Sequence, residues 1–392
     1  MKIAVLTSGI LPIPAVQGGA VENLVEFYLE YNEEYPEHEI TVYSIANKKT
    51  KDSPLINYKH THFYFINTNS KWYKLKKKLY SYCQKDIYYD IAIEYFLHSC
   101  LDEIKREHYD YIIMENRPGY VLKVSEITDA KLIVHLHNDF LNTNTPHAKE
   151  ILDKCHRVLT VSDYINNCVS TIYKSDKIRT IHNGINLEAF TQQSPTAITR
   201  TQLGFSDDDF ILVYSGRIIP EKGVDKLIDA MIMLQDYPHI KLMIIGNSFF
   251  GNTGNDDPYI AELKKKASPI KDRILFTGFI PYLNMPNYLR ISDVAVIPSI
   301  WDDPFPTTIL EAQAIGLPII STYKGGIPEE VCTENALLIQ VDDSFVEKIN
   351  KAIIYLYDTP YTRQEMAVVS KARGNMYDKK EYSRNVLNNI TH

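Results

Sequence analysis

Residues 209–235 read DFILVYSGRIIPEKGVDKLIDAMIMLQ. An apolar, β-branched run ends at Ser215, and Gly216, Pro220 and Gly223 punctuate the residues after it. Apolar residues then recur at helical spacing, so the stretch predicts strand, loop and helix in succession. The same grammar continues downstream in IKLMIIG (240–246), RILFTGF (273–279), DVAVIPS (293–299), LPIISTY (317–323) and ALLIQV (336–341), with a helical stretch at 344–357. Upstream it appears in KIAVLTS (2–8), EITVYSIA (39–46), HFYFINT (62–68), DYIIMEN (110–116), AKLIVHLH (130–137), RVLTVS (157–162) and IRTIHNG (178–184). Strand cores that are apolar throughout suit parallel sheets covered on both faces by helices.

The predicted class is α/β: two Rossmann-like domains facing each other across a cleft, with ligands at the carboxyl ends of the strands. The expected division is 1–190, 191–372 and a terminal helix over 373–392 that packs back on the first domain. The turn His182-Asn183-Gly184 and the polar stretch around Pro195 mark the linker. Neither half carries a complete site, so domain closure is expected around it.

At 392 residues, 45% hydrophobic and 23% charged, the chain has apolar mass for two full cores. A net charge of −7 argues against a bulk grip on nucleic acid. Cys83, Cys100, Cys155, Cys168 and Cys332 are scattered with no CxxC pair, which predicts buried thiols rather than disulfides or zinc. The opening run imitates a short signal peptide, but Pro12 and Pro14 interrupt it, so a first strand and a cytoplasmic protein are expected.

Three clusters carry chemistry. Gly18 and Gly19 precede a helix whose first N–H groups suit an anion; a plain tight turn is the alternative. Arg217 and Lys222 can converge on a diphosphate, one as a fork and one as a point charge; a solvated pair is the alternative. In the stretch 298–312, PSIWDDPFPTTILEA, a strand ends at Ser299, a loop carries Asp303, and a helix from Thr307 has Glu311 one turn inside. Gly316, Pro318, Gly325, Gly326 and Glu329 come after it. Cations and backbone N–H groups for a diphosphate, with carboxylates for hydroxyls, are what a nucleotide sugar needs.

This ensemble resembles glycosyltransferase family 4, the retaining enzymes of the GT-B fold, over nearly the whole chain. The family stretch E-P-F-G-x4-E-A stands here as Asp303 to Ala312, and GR-x4-KG as Gly216, Arg217, Lys222 and Gly223. The resemblance implies a donor nucleotide-sugar site at Gly18, Gly19, Arg217, Lys222, Phe305, Pro306, Thr307 and Glu311, with Glu311 on the ribose and the base at Gly278, Phe279 and Ile280. Asp303 and His137 would face the transferred sugar, His135 being the second-choice histidine. Two departures bear on sugar identity: Asp303 shortens the family's Glu by ~1.5 Å, and Pro306 removes an N–H donor.

The implied activity is transfer of a hexosyl unit from a nucleoside diphosphate sugar, UDP-sugar favoured, to a glycan or lipid-linked hydroxyl in bacterial cell-surface polysaccharide synthesis. Retention would be front-faced, with the leaving phosphate taking the acceptor proton. Neither metal nor cofactor is expected, and Asp207-Asp208-Asp209 and Asp256-Asp257 are expected to be solvated loop residues. A non-catalytic glycan-binding relative and a nucleotide-sugar epimerase are the alternatives.

Asn116, Arg117 and Asp139 are candidate acceptor contacts, with loop capping as the alternative. Lys71 to Tyr80 forms a basic aromatic helix with Trp72, Leu75 and Leu79 on one side, which suits an anionic membrane surface; packing of that side on the protein's own core is the alternative.

Overall fold

The structure is a computed structural model that describes residues 1–83, 88–192, 198–248 and 257–391. Pro195 of the expected linker, Asp256 and the Cys83 side chain lie outside the described residues. The chain divides into two units, Met1–Asn183 with Lys379–His392, and Gly184–Asp378.

The first unit holds β1 (Lys2–Leu6), β2 (Glu39–Ile45), β3 (Thr61–Ile66), β4 (Tyr111–Glu115), β5 (Lys131–Leu136), β6 (Arg157–Thr160) and β7 (Ile178–Thr180). All pair in parallel in the order β3-β2-β1-β4-β5-β6-β7. The second unit holds β8 (Phe210–Ser215), β9 (Ile240–Ile245), β10 (Ile274–Gly278), β11 (Val294–Val296), β12 (Ile319–Thr322) and β13 (Ala336–Ile339), again parallel, in the order β10-β9-β8-β11-β12-β13. Every residue of β4 and β8 is buried, because helices cover both faces of a parallel sheet.

Strand order reverses between β1 and β4 in the first unit and between β8 and β11 in the second. Loops leaving the two strands at such a point diverge to opposite faces, which opens a crevice at the carboxyl edge. The loops after β1 and β4 carry Gly18, Gly19, Asn116 and Arg117; those after β8 and β11 carry Arg217, Lys222 and Asp303.

The unit boundaries differ from the expected ones. The first crossing falls at Asn183/Gly184 rather than 190/191. Phe190 is buried and its carbonyl accepts from Arg290 Nη2 at 2.9 Å, which ties the helix Leu187–Thr191 to the second unit. The return falls at Asp378/Lys379 rather than 372/373. The helix Pro360–Gly374 crosses Thr307–Ile315 so closely that a Cβ on Gly374 would stand 2.5 Å from the Ala314 nitrogen. The last helix, Lys379–Thr391, buries Tyr382, Val386, Leu387 and Ile390 in the first unit, and Lys379 Nζ meets Glu30 Oε2 at 2.7 Å.

Candidate functional site

In the second unit, glycines let two loops meet. Gly223 has φ +67°, and a Cβ there would lie 2.1 Å from the Pro298 carbonyl oxygen. The Ile300 N–H donates to the Glu221 carbonyl at 3.0 Å. This docking of the loop after β8 on the loop after β11 delivers Lys222 to Asp303, and the two form an ion pair. Ser299 Oγ stands 3.5 Å from Asp303 Oδ2, and Lys222 Nζ lies 5.6 Å from the Trp301 ring centroid. Gly325, at φ +55°, packs under the same loop, where a Cβ would meet the Asp303 oxygen at 2.2 Å; the Gly326 N–H donates to that oxygen at 2.8 Å.

Arg217 is exposed beside this pair, and its carbonyl accepts from Tyr214 Oη at 2.5 Å. Phe305 and Pro306 are buried, and the helix Thr307–Ile315 begins beyond them. Glu311 lies one turn inside it, buried, and burial pushes its carboxyl up to about 8 against a small opposing hydrogen bond from Thr307. At neutral pH it therefore holds a proton and can donate as well as accept. Gly278, which ends β10, and Phe279 and Ile280 after it are half-buried, and the Gly278 carbonyl accepts from the Gly246 N–H at 3.0 Å.

Sequence reasoning passed over Glu330. It is buried with both carboxylate oxygens lacking a partner among the described residues, and burial, then Asp303 and Glu329, raise it well above the usual carboxylate range. It sits one position beyond Glu329, and no periodicity distinguishes the two. The acidic run also needs correction: Asp207 and Asp208 are exposed, but Asp209 is buried and accepts from the Ser206 N–H at 2.8 Å, because it caps the turn into β8.

The first unit builds a different constellation. Gly18 and Gly19 have φ +78° and +115°, and Gly19 precedes the helix Ala20–Glu34. A Cβ on Gly19 would stand 2.1 Å from Glu22 Oε2. Burial raises Glu22 and Glu26 to about 7.

Across the switch point, Glu115 ends β4 and lies opposite His135 on β5. Its carboxylate accepts from Tyr28 Oη at 3.0 Å, His135 Nδ1 at 3.4 Å and His137 Nε2 at 3.0 Å. Burial alone would push Glu115 up, but the two imidazoles beside it hold it well below the usual carboxylate range. His137 falls to about 4 through burial and the neighbouring His135, with Glu115 opposing. It is neutral at pH 7, its proton on Nε2 toward Glu115, and its buried Nδ1 has no partner among the described residues. Asn116, at φ +56°, accepts from the His137 N–H through Oδ1 at 3.2 Å.

Glu115, His135 and His137 are the one group among the described residues whose three potential metal-ligand atoms all lie within 4.8 Å of one another. The carboxylate already accepts three hydrogen bonds, while among the described residues His135 Nε2 and His137 Nδ1 have no partner. Asp139 is only half-buried, and its carbonyl accepts from Asn142 Nδ2 at 2.8 Å. Arg117 is buried.

Residues 196–372 match the family described as glycosyl transferases group 1. Among curated proteins, YtcC of Bacillus subtilis (strain 168), assigned by name to the glycosyltransferases, is 27% identical over 384 residues, spanning 93% of this chain and 84% of its own. The lipopolysaccharide 1,2-N-acetylglucosaminetransferase of Salmonella typhimurium is 26% identical over 258 residues, 64% of this chain and 66% of its own. Among solved structures, Anabaena Alr3699/HepE in complex with UDP and glucose superposes with a TM-score of 0.76 at 20% identity, covering 100% of this chain and 99% of that one. The two parallel-sheet units thus share the GT-B fold of that structure.

Proposed function

We propose, from the match of residues 196–372 to the glycosyl transferases of group 1, that the chain is a retaining, metal-independent transferase that moves a hexosyl unit from a UDP-sugar to a hydroxyl of a glycan or lipid-linked acceptor in cell-surface polysaccharide synthesis. The observation that carries this reading is the second unit's edge, where Arg217, the Lys222–Asp303 pair and the buried Glu311 gather around one strand reversal. Lys222 and Arg217 stabilise the leaving diphosphate, the work a divalent ion does elsewhere. Glu311 takes the ribose hydroxyls, and Asp303 and His137 address the sugar. The C1–O bond to phosphate breaks, the bond from C1 to the acceptor oxygen forms on the same face, and the acceptor proton passes to the departing phosphate oxygen.

The test is a calorimetric screen against UDP, GDP, ADP and their sugar conjugates, without metal and then with magnesium. Metal-independent binding of one nucleotide, lost in Glu311→Ala and Arg217→Ala, supports the donor site. No binding to any nucleotide overturns it. NMR of the product's anomeric centre then tests retention.

A membrane-bound acceptor is favoured by the helix Lys71–Cys83. Tyr73 and Tyr80 pack their rings on Tyr95 at 4.8 and 5.3 Å, whereas Trp72, Leu75 and Leu79 are 74%, 50% and 57% exposed among five lysines. The side that packs inward is therefore that of the tyrosines, and the Trp-Leu side is available to an anionic lipid surface. No helix among the described residues is long and apolar enough to cross a membrane.

A further inference from the structure

Arg117 carries a guanidinium that stays charged at any physiological pH, yet the residue is only 7% exposed. Buried cations are ordinarily paired, since an uncompensated charge in the interior is costly. Among the described residues the side chain donates one hydrogen bond, from Nη1 to the Asn116 carbonyl at 2.8 Å, and its buried Nε has no partner. Glu115, the carboxylate one strand end away, is already committed to Tyr28, His135 and His137. Glu22 senses the Arg117 charge, but burial leaves it about half protonated at neutral pH, so it offsets only part of that charge.

The cation is also held in place. Its Cζ lies 5.4 Å from the Tyr89 ring centroid and 5.9 Å from that of Phe140. Tyr89 is fixed by the Gly119 N–H, which donates to its hydroxyl at 2.9 Å. Phe140 is 44% exposed and so stands at the mouth of the arrangement. The Asn116 backbone at φ +56°, a conformation asparagine tolerates, turns the chain so that its own carbonyl anchors the guanidinium. A fork immobilised in advance binds a two-oxygen anion with little loss of side-chain freedom.

We propose that Arg117, flanked by Tyr89 and Phe140, binds an oxyanion of the acceptor, a phosphoryl or carboxylate group whose oxygens take the guanidinium N–H groups that the protein does not use. Only the word acceptor rests on the transferase reading; the anion site is a property of the first unit. It narrows the acceptor to an anionic glycan or a phosphorylated lipid headgroup.

The experiment uses the full chain, with saturating nucleoside diphosphate where one binds and in the Arg217→Ala background otherwise, so that the second unit's cations do not contribute. Calorimetry and thermal shift are read with methyl phosphate and with glucuronate. The expected result is that one of them binds and raises Tm. Arg117→Met, which keeps an apolar stem between the rings, weakens that binding about tenfold or more while leaving the ligand-free Tm unchanged or higher. Arg117→Lys, with the charge but no fork, falls between. The anion that binds more tightly tells a phosphoryl acceptor from a uronate one. Lack of binding by both anions, or affinity unchanged in Arg117→Met, overturns the proposal. A clear drop in ligand-free Tm for Arg117→Met, with no anion response in the parent, assigns Arg117 to structure alone. Anion binding without any nucleotide binding sinks the transferase reading and leaves this site standing.

Discussion

Glu115 and Glu311 occupy comparable places, each buried at the carboxyl edge of a parallel sheet beside its strand reversal, and they are in opposite states. Glu115 accepts from one hydroxyl and two imidazoles and is ionised. Burial outweighs the hydrogen bond from Thr307 at Glu311 and keeps its proton on. Depth is the same, so the donors decide. The first unit thereby holds a fixed negative charge that sets the tautomer of His137. The second holds a proton that ligand hydroxyls can displace.

The largest effect is expected where one buried charge depends on one partner. Lys222→Met leaves Asp303 buried beside Glu330 with its ion pair gone. Turnover should fall roughly 100-fold or more as the leaving diphosphate loses a cation, and stability by roughly 3 kcal/mol. A Lys222→Met chain with near-normal kcat and Tm would show that the pair is ornamental.

Glu115→Gln comes next, because it replaces an acceptor of three hydrogen bonds by an amide that must point a donor at one of them. The cost is about 2 kcal/mol, and His137 loses the partner that fixes its Nε2 proton. Nitrogen-15 NMR of the imidazoles should then show a tautomer mixture; an unchanged single tautomer would remove Glu115 from the positioning role.

The contrast sharpens into opposite pH slopes. His137 titrates near 4 in the folded chain against 6.5 ordinarily, so the unfolded state binds the extra proton and stability is lost as pH falls from about 6.5 to about 4. Glu311 titrates near 8 against 4.5, so the unfolded chain releases its proton first and stability is lost as pH rises from about 4.5 to about 8. Glu311→Gln should shrink the alkaline limb of the Tm profile, to which Glu22, Glu26 and Glu330 also contribute, and leave the acid limb alone. If the ribose hydroxyls meet an ionised Glu311, nucleotide binding at pH 7 releases a proton, read as a dependence of calorimetric enthalpy on buffer ionisation enthalpy. Buffer-independent enthalpy would break the assignment.

How far the sequence revealed this depends on whether a partner is local. The Asp303-to-Glu311 spacing is legible because one helical turn fixes it within a few residues, whereas the pairing of Lys222 with Asp303, 81 residues away, is not. Glu115 was invisible as a functional residue, although the runs that contain it and the histidines were both read as strands. Its pairing needs the register of β4 on β5, which sets Glu115 against His135, and a one-residue slip would turn the carboxylate away. The bare charge of Arg117 was likewise beyond reach, since whether an arginine is paired is a property of everything packed around it. The sequence reads a helix over 71–80, which lies within Lys71–Cys83, but it leaves the Trp-Leu side open between lipid and the protein's own core, because tyrosine serves equally as core and as surface.

That helix gives the smallest expected effect on the protein itself and the cleanest separation of binding from folding. Trp72, at 74% exposure, supports little of the core, so Trp72→Ser should change stability by no more than about 0.5 kcal/mol. Flotation with vesicles rich in anionic lipid should nonetheless weaken in Trp72→Ser, and more so when Leu75 and Leu79 are also replaced. The apolar residues supply burial in the interface while the lysines supply attraction to the headgroups. Raising salt acts on the lysine term alone, so the parent should lose part of its flotation and the triple variant the remainder. Flotation indifferent both to anionic lipid and to Trp72 would leave the exposed side without a membrane role, while the nucleotide edge of the second unit would stand unchanged.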